Sequence, residues 1–113
     1  MKCDCKLYLC GDNGNKFFGL GPLLLLERVF ELGSLKKAAD TMDLSYHKAL
    51  RIIKAAEQGF GCPLLIKKVG GEKGGGSVLT PAAIKIIKNY RAFAAALNQS
   101  AQSLFAEHFK SEE

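Results

Sequence analysis

The sequence has no apolar run long enough to cross a bilayer, which takes about 20 residues in a helix. Its four consecutive leucines, residues 23–26, are followed at once by Glu27 and Arg28. The N-terminus lacks the apolar core of a secretory signal peptide. We therefore expect a cytoplasmic protein with no membrane partner, in which cysteines are not paired in a disulfide framework.

Motifs of the common catalytic centres are also missing. The two histidines, His47 and His108, fall on separate predicted helices, and no nucleophile elbow, paired-carboxylate site or His-Glu-x-x-His motif occurs. The glycine-rich segment 70–77 is not a P-loop, because Lys73 is followed by Gly74 where magnesium binding needs serine or threonine. We predict that the protein is not an enzyme and has no cofactor.

The cysteines lack the Cys-x-x-Cys spacing typical of structural metal sites, which usually have four ligands. Cys3, Cys5 and Cys10 are nevertheless close together in sequence, with Cys62 further on. Such a group is compatible with a soft metal or a redox trigger. Reduced thiols without a special role are the alternative that we favour, and we predict no metal site.

The 113 residues fit one domain with an extension, and the 48% of hydrophobic residues argues against disorder. The formal net charge is +5, and residues 45–73 carry six basic and two acidic side chains. A cluster of this kind favours a polyanionic partner over an ordinary solvated face.

Local patterns predict a mainly α fold of the α+β class. An alternating segment at 6–9, turn formers at 12–15 and a second strand at 16–18 indicate an N-terminal β-hairpin. A helix opens at Gly21-Pro22 and stops at Gly33, and within it a helical spacing is kept by Leu23, Leu26, Val29, Phe30 and Leu32.

Two further helices follow, each with a serine at its start. Ser34 is expected to cap a helix from 35 to about 42, and Ser45 a helix that runs to Gln58 and ends at Gly59. Strands at 64–69 and 78–79 flank the glycine-rich segment, and Thr80-Pro81 starts a helix to about Phe109.

This order of elements is typical of a winged helix-turn-helix. We assign residues 1–80 to a DNA-binding domain and residues 81–113 to a long dimerisation helix. In the third helix, Arg51 is suited to a guanine edge and Leu50 to a thymine methyl. The alternative is that Arg51 and Lys54 are only solvated and that Leu50 packs in the core. The candidate DNA-binding residues are Ser34, Ser45, Tyr46, His47, Lys48, Leu50, Arg51, Lys54, Lys67, Lys68 and Lys73.

The glycine-rich segment fits a wing between two strands, where backbone N–H groups and Lys73 approach phosphates or a minor groove. A passive linker is the alternative.

The last helix carries a sustained 3.5-residue repeat, which favours a coiled-coil partner. Its length of roughly 40 Å exceeds what a domain of this size covers. The alternative is a helix that folds back onto its own bundle. The predicted dimer interface consists of Ala83, Ile87, Tyr90, Ala94, Leu97, Ala101 and Leu104, with His108 continuing the repeat.

Several of these segments resemble known regulators. Residues 33–39 (Gly-Ser-Leu-Lys-Lys-Ala-Ala), 44–49 (Leu-Ser-Tyr-His-Lys-Ala) and 63–65 (Pro-Leu-Leu) resemble the helix-turn-helix of LysR-type regulators. Residues 70–81, from the glycine-rich segment to Thr-Pro, are similar to the N-terminal domain of the ModE family of molybdate-responsive transcriptional regulators. The resemblance covers about residues 6–91.

The resemblance implies a DNA-binding winged helix that dimerises, in part through its long C-terminal helix. Our main hypothesis is a homodimeric transcriptional regulator that binds double-stranded DNA at a near-palindromic operator. Family members that sense molybdate carry additional small β-barrel domains after this segment, whereas this sequence stops at Glu113. We therefore expect no small-molecule ligand in this chain. Two other functions stay open: a protein-interaction module that pairs through its long helix, and DNA binding switched by metal or oxidation at the N-terminal cysteines.

Overall fold

A computed structural model describes residues 1–68 and 76–109 of the chain. The elements follow the predicted order, and the mainly α fold with two small β-hairpins and a long C-terminal helix is confirmed. They are β1 (Leu9–Cys10), β2 (Lys16–Phe18), α1 (Leu20–Leu32), α2 (Leu35–Thr41), α3 (Tyr46–Phe60), β3 (Leu65–Lys67), β4 (Ser77–Leu79) and α4 (Pro81–Phe109). In the described part of the chain, no helix is both long and apolar enough to cross a membrane.

The core forms where α1, α2 and α3 pack together with β2 and β4. Its largest fully buried side chains are Phe18, Leu23, Leu25, Leu26, Val29, Ile53 and Leu64. Phe30 and Leu32, which belong to the predicted helical repeat of α1, are 67% and 41% exposed. Both lie in the last turn of α1, after Val29, which is the last buried residue of that helix.

Four aromatic rings connect the N-terminal hairpin to the helices. Phe60 of α3 receives Phe17 and Phe18 edge-on, both with ring centroids at 5.1 Å. Phe18 in turn meets Tyr90 of α4 at 5.5 Å. Such edge-to-face pairs add about 0.5–1.5 kcal/mol each beyond the burial of their area. The hairpin is therefore part of the core and not an appendage.

The end of α3 lies two residues later than the prediction. The helix continues through Gly59 to Phe60 and stops at Gly61, whose φ of 74° is the left-handed conformation that glycine adopts readily. Gly59 is needed for packing, because the ring of Phe17 occupies the place where a Cβ would lie.

The first strand also lies later than the alternating pattern predicted, at Leu9–Cys10. The preceding residues run alongside α4 instead. The Tyr90 hydroxyl donates to the Leu7 carbonyl at 2.6 Å, and Gln102 Nε2 donates to the Cys3 carbonyl at 2.9 Å. We call residues 3–7 the N-terminal arm, which lies antiparallel to α4.

The helix α4 extends well beyond the core. Its 29 residues measure about 43 Å. Thr80 caps it by accepting from the Ala83 N–H at 3.1 Å, as its sequence predicted. Within the described residues, its buried side chains are Ala83 and Tyr90, so the second half of the helix projects and gives the molecule a length of 65 Å.

Replacing Gly59 with alanine tests the contact between the hairpin and α3. Alanine is the better helix former by about 1 kcal/mol, yet we expect Gly59→Ala to destabilise the fold by about 1–3 kcal/mol, because the methyl group overlaps Phe17. Gly21→Ala in α1 is the matched control, since no atom other than those of its chain neighbours and its own helix backbone lies within 4 Å of its Cβ position. Thermal unfolding followed by circular dichroism measures both. A Gly59→Ala protein as stable as the control contradicts the packing role.

Candidate nucleic-acid interface

The two serines predicted as caps hold the helix-turn-helix in shape. Ser34 Oγ accepts from the Lys37 N–H and Ser45 Oγ from the Lys48 N–H, both at 3.1 Å. Between the helices, Asp43 adopts a positive φ of 56°, which allows a short connection between α2 and α3. Each serine keeps a hydroxyl hydrogen that can still be donated to a phosphate.

One stripe of α3 faces away from the core. His47, Arg51, Lys54 and Gln58 recur at spacings of four, three and four residues, and all four are exposed. The exposed Lys48 lies beside this stripe. We call these five residues the α3 outer face. Gln58 was missing from the sequence-based set, because an uncharged amide does not stand out in a search for basic residues.

The two apolar candidates at the start of α3 are placed differently. Tyr46 and Leu50 are half-buried and pack against the hydrophobic core. The Tyr46 ring also lies edge-on to His47, with centroids 6.2 Å apart. The expectation that Leu50 points outward is therefore only half met, because its position on the helix lies at the border between the two faces.

The wing strands lie next to the helix-turn-helix. β3 and β4 are antiparallel, with Leu65 opposite Leu79 and Lys67 opposite Ser77. Lys67 and Lys68 are exposed at the end of β3. Lys73 and the glycines from 70 to 75 lie outside the described residues.

The charge of this side of the molecule is mostly positive. The end of β3, with Lys67 and Lys68, is called the wing base. The exposed cations of α2, of the α3 outer face and of the wing base are Lys36, Lys37, Lys48, Arg51, Lys54, Lys67 and Lys68. The exposed Asp40 and Asp43, in α2 and the turn after it, and Glu57 of α3 add negative charges. The Oε2 atom of Glu57 accepts a hydrogen bond from the Leu64 N–H at 2.8 Å. A surface of this composition attracts phosphates.

The predicted dimer interface divides into three parts. Ala83 and Tyr90 are buried in the core of the chain itself, so they are not open to a partner. Ile87, Ala94, Leu97 and Ala101 are half-buried, and Leu104 is 54% exposed. Phe93, absent from the predicted repeat, is 52% exposed.

The arm covers part of that same helix. Cys5 and Leu7 line a groove of about 560 Å³ together with Ala94 and Leu97 of α4. Arg91, on the side of α4 toward α1, makes a two-pronged ion pair with Glu27 at 2.6 and 3.0 Å. Hydrogen bonding and charge from Glu27 raise the pKa of Arg91 further above its ordinary value.

The four cysteines are free thiols. Partial burial and the neighbouring Cys5 and Asp4 raise the pKa of Cys3, which keeps this thiol protonated to higher pH. Within residues 1–68 and 76–109, no three histidine, cysteine or acidic side chains come together in a way that could hold a metal ion.

Comparison with known proteins identifies a family and several relatives of this chain. Residues 20–84 match the model of the bacterial regulatory helix-turn-helix proteins of the lysR family. The molybdenum-pterin-binding protein MopB of Rhodobacter capsulatus is 36% identical over 77 residues, which are 68% of this chain and 28% of that protein. The molybdenum transport protein ModE of Herbaspirillum seropedicae is 34% identical over 67 residues, which are 59% of this chain and 25% of that protein.

The similarity is therefore confined to one segment of the relatives. The chain spans about a quarter of the length of these curated proteins. Among solved structures, ArgP from Mycobacterium tuberculosis is similar with a TM-score of 0.49 and 26% identity, over 76% of this chain and 29% of that chain. The resemblance to LysR-type and ModE sequences noted above is confirmed by the family model and by the two relatives.

Removal of the cap at Ser45 tests its structural role. We expect Ser45→Ala to lower the free energy of unfolding by about 1 kcal/mol, because the Lys48 N–H loses its acceptor, and Ser45→Asn to keep most of the stability. Urea unfolding gives the values. Ser100→Ala, at an exposed position inside α4, is the control. Equal stability of Ser45→Ala and Ser100→Ala is the outcome that speaks against the cap.

Proposed function

Since the chain belongs to the lysR family of bacterial regulatory helix-turn-helix proteins, we propose that it is a sequence-specific DNA-binding transcriptional regulator of ModE-like type. The observation that carries the proposal is the α3 outer face: a helix with one buried face presents exposed histidine, arginine, lysine and glutamine side chains beside a lysine-bearing wing. Proteins of this architecture insert such a helix into the major groove.

In this proposal the residues make two kinds of contact with DNA, to bases and to phosphates. Arg51, near the middle of the exposed stripe, has the planar donor pair that recognises a guanine edge, and His47 reaches a neighbouring base or phosphate. Lys67 and Lys68 contact phosphates, which adds affinity without sequence preference. The segment shared with the molybdenum-related relatives is this winged helix, so the proposal concerns DNA binding and not the binding of molybdenum.

We further propose that the regulator is a homodimer that binds a near-palindromic operator. The projecting half of α4 leaves Phe93 and Leu104 exposed, and Leu97 lies between them at spacings of four and seven residues. This stripe follows the heptad pattern that coiled-coil partners use. Two α3 helices would then enter major grooves one helical turn, or a multiple of it, apart.

Selection of bound sequences from random duplex DNA tests the base-reading role of Arg51. We expect the wild-type protein to enrich an inverted repeat and Arg51→Ala to lose preference at one base pair of each half-site, at a cost of about 1–3 kcal/mol. Lys68→Ala should weaken binding to all sequences alike and reduce the salt dependence. Lys88→Ala, an exposed site on α4, is the control. Unchanged affinity and base preference in Arg51→Ala would rule out this assignment.

Charged residues on the exposed stripe of α4 test the dimer. We expect a Phe93→Glu/Leu104→Glu variant to sediment as a monomer, because burying carboxylates in an apolar seam is costly. Ala95→Glu is the matched control on another exposed part of α4 and should stay dimeric. Analytical ultracentrifugation across a concentration series distinguishes the two. The proposed interface is wrong if the double variant remains a dimer with the affinity of the control.

A further inference from the structure

Among the described residues, two hydrogen bonds tie the wing to the helix-turn-helix and to the turn before it, one near each wing strand. At the entry to β3, the Leu64 N–H donates to Oε2 of Glu57 on α3 at 2.8 Å. At the start of β4, the Ser77 N–H donates to the Gly33 carbonyl, in the turn between α1 and α2, at 2.9 Å. The two wing strands are thus fixed against α3 and against the turn between α1 and α2.

Gly76, immediately before β4, leaves no room for a side chain next to the Gly33 carbonyl. A Cβ on Gly76 would lie 2.7 Å from the Gly33 oxygen, a distance that real Cβ atoms do not tolerate. Gly33 cannot easily move away, because it ends α1 with a φ of 70° and its N–H donates to the Val29 carbonyl at 2.8 Å. The Gly76 carbonyl accepts from the Lys68 N–H at 2.8 Å, which continues the pairing of the two wing strands. Glycine at 76 therefore allows the wing to lie where it does.

Glu57 is an acidic residue on the basic side of the molecule, close to where phosphates would lie. By charge alone it should weaken DNA binding. Its carboxylate instead accepts a hydrogen bond from the N–H of Leu64, a residue that is 0% exposed. The Leu64 carbonyl also accepts from the Thr80 N–H at 3.0 Å, so Leu64 joins α3, the wing and the start of α4.

We propose that Glu57 and Gly76 are positioning residues. They fix where the wing lysines, Lys67 and Lys68, lie relative to the α3 outer face, so that the lysines and α3 contact the same DNA duplex. The inference rests on the proposed DNA-binding function and adds to it the residues that fix the geometry. Neither residue needs to touch DNA for this role. Loss of either one changes the angle of the wing and costs phosphate contacts, while α3 still reads its bases.

Three variants separate positioning from charge. Glu57→Ala removes the acceptor and the charge, Glu57→Gln removes the charge but keeps an oxygen that accepts from the Leu64 N–H, and Glu31→Ala removes an exposed acidic residue of α1. Binding to the selected operator is measured by fluorescence anisotropy between 50 and 300 mM salt, a range of about sixfold. Circular dichroism at the same temperature establishes that each variant is folded.

We expect the Glu57→Ala dimer to bind its inverted repeat about a hundredfold more weakly, or about tenfold for each subunit, although it has lost a negative charge, because two exposed lysine–phosphate pairs are displaced in each subunit. The log–log salt slope should fall in magnitude by about 4, or about 0.9 for each of the lost phosphates. Glu57→Gln should keep the wild-type slope and bind as well or better. Base preference should be unchanged in all three variants.

Gly76→Ala provides the second, independent test, and decides the matter if Glu57→Ala does not fold. It should reproduce the weaker binding and the shallower slope through its clash with Gly33. The inference is overturned if Glu57→Ala and Gly76→Ala, or Gly76→Ala alone where only it folds, match Glu31→Ala in affinity and slope. If the wild-type protein itself shows no salt-dependent, sequence-selective binding, the proposed function fails, and this result is distinct from a failure of the positioning role.

Discussion

The rotation of α3 about its own axis is the constraint on which the rest of the structure depends. Its inner face is made of Ala49, Ile53 and Ala56, which are at most 2% exposed. In the neighbouring α2, Ala38 and Ala39 are also buried. Small side chains on both helices let the backbones approach closely, and they leave one rotation that buries the isoleucine. Arg51 and its neighbours on the stripe must then face solvent, because any other rotation would bury an unpaired charge.

Features encoded by a few neighbouring residues were predictable from the sequence. The serine caps, the left-handed Gly33 and the Thr80-Pro81 helix start each depend on bonds between residues at most four apart. Contacts between distant residues were not predictable in this way. The packing of Phe17 against Gly59 joins residues far apart in the sequence, and the arm depends on bonds that span 83 and 99 residues. No local periodicity reports such a pairing.

The same distinction explains which parts of the candidate site were found. Basic residues on the outer side of α3 follow from helical spacing and charge alone. Glu57 did not stand out, because its role depends on the N–H of Leu64, a backbone group that sequence patterns do not show. Phe93 was missed because the predicted repeat passed through Tyr90, whose ring is buried and whose hydroxyl holds the arm. The exposed stripe of α4 is therefore rotated from the one that spacing suggested.

The aromatic chain from Phe60 through Phe18 to Tyr90 connects α3 with the base of α4. Because Tyr90 is the last buried residue before the described part of α4 leaves the core, its packing sets the direction in which the remaining helix projects. In the proposed dimer, that direction fixes the separation of the two α3 helices, since both chains meet along the projecting halves. The half-site spacing of the operator would then be determined by core packing between hairpin, α3 and α4, far from any residue that reads a base.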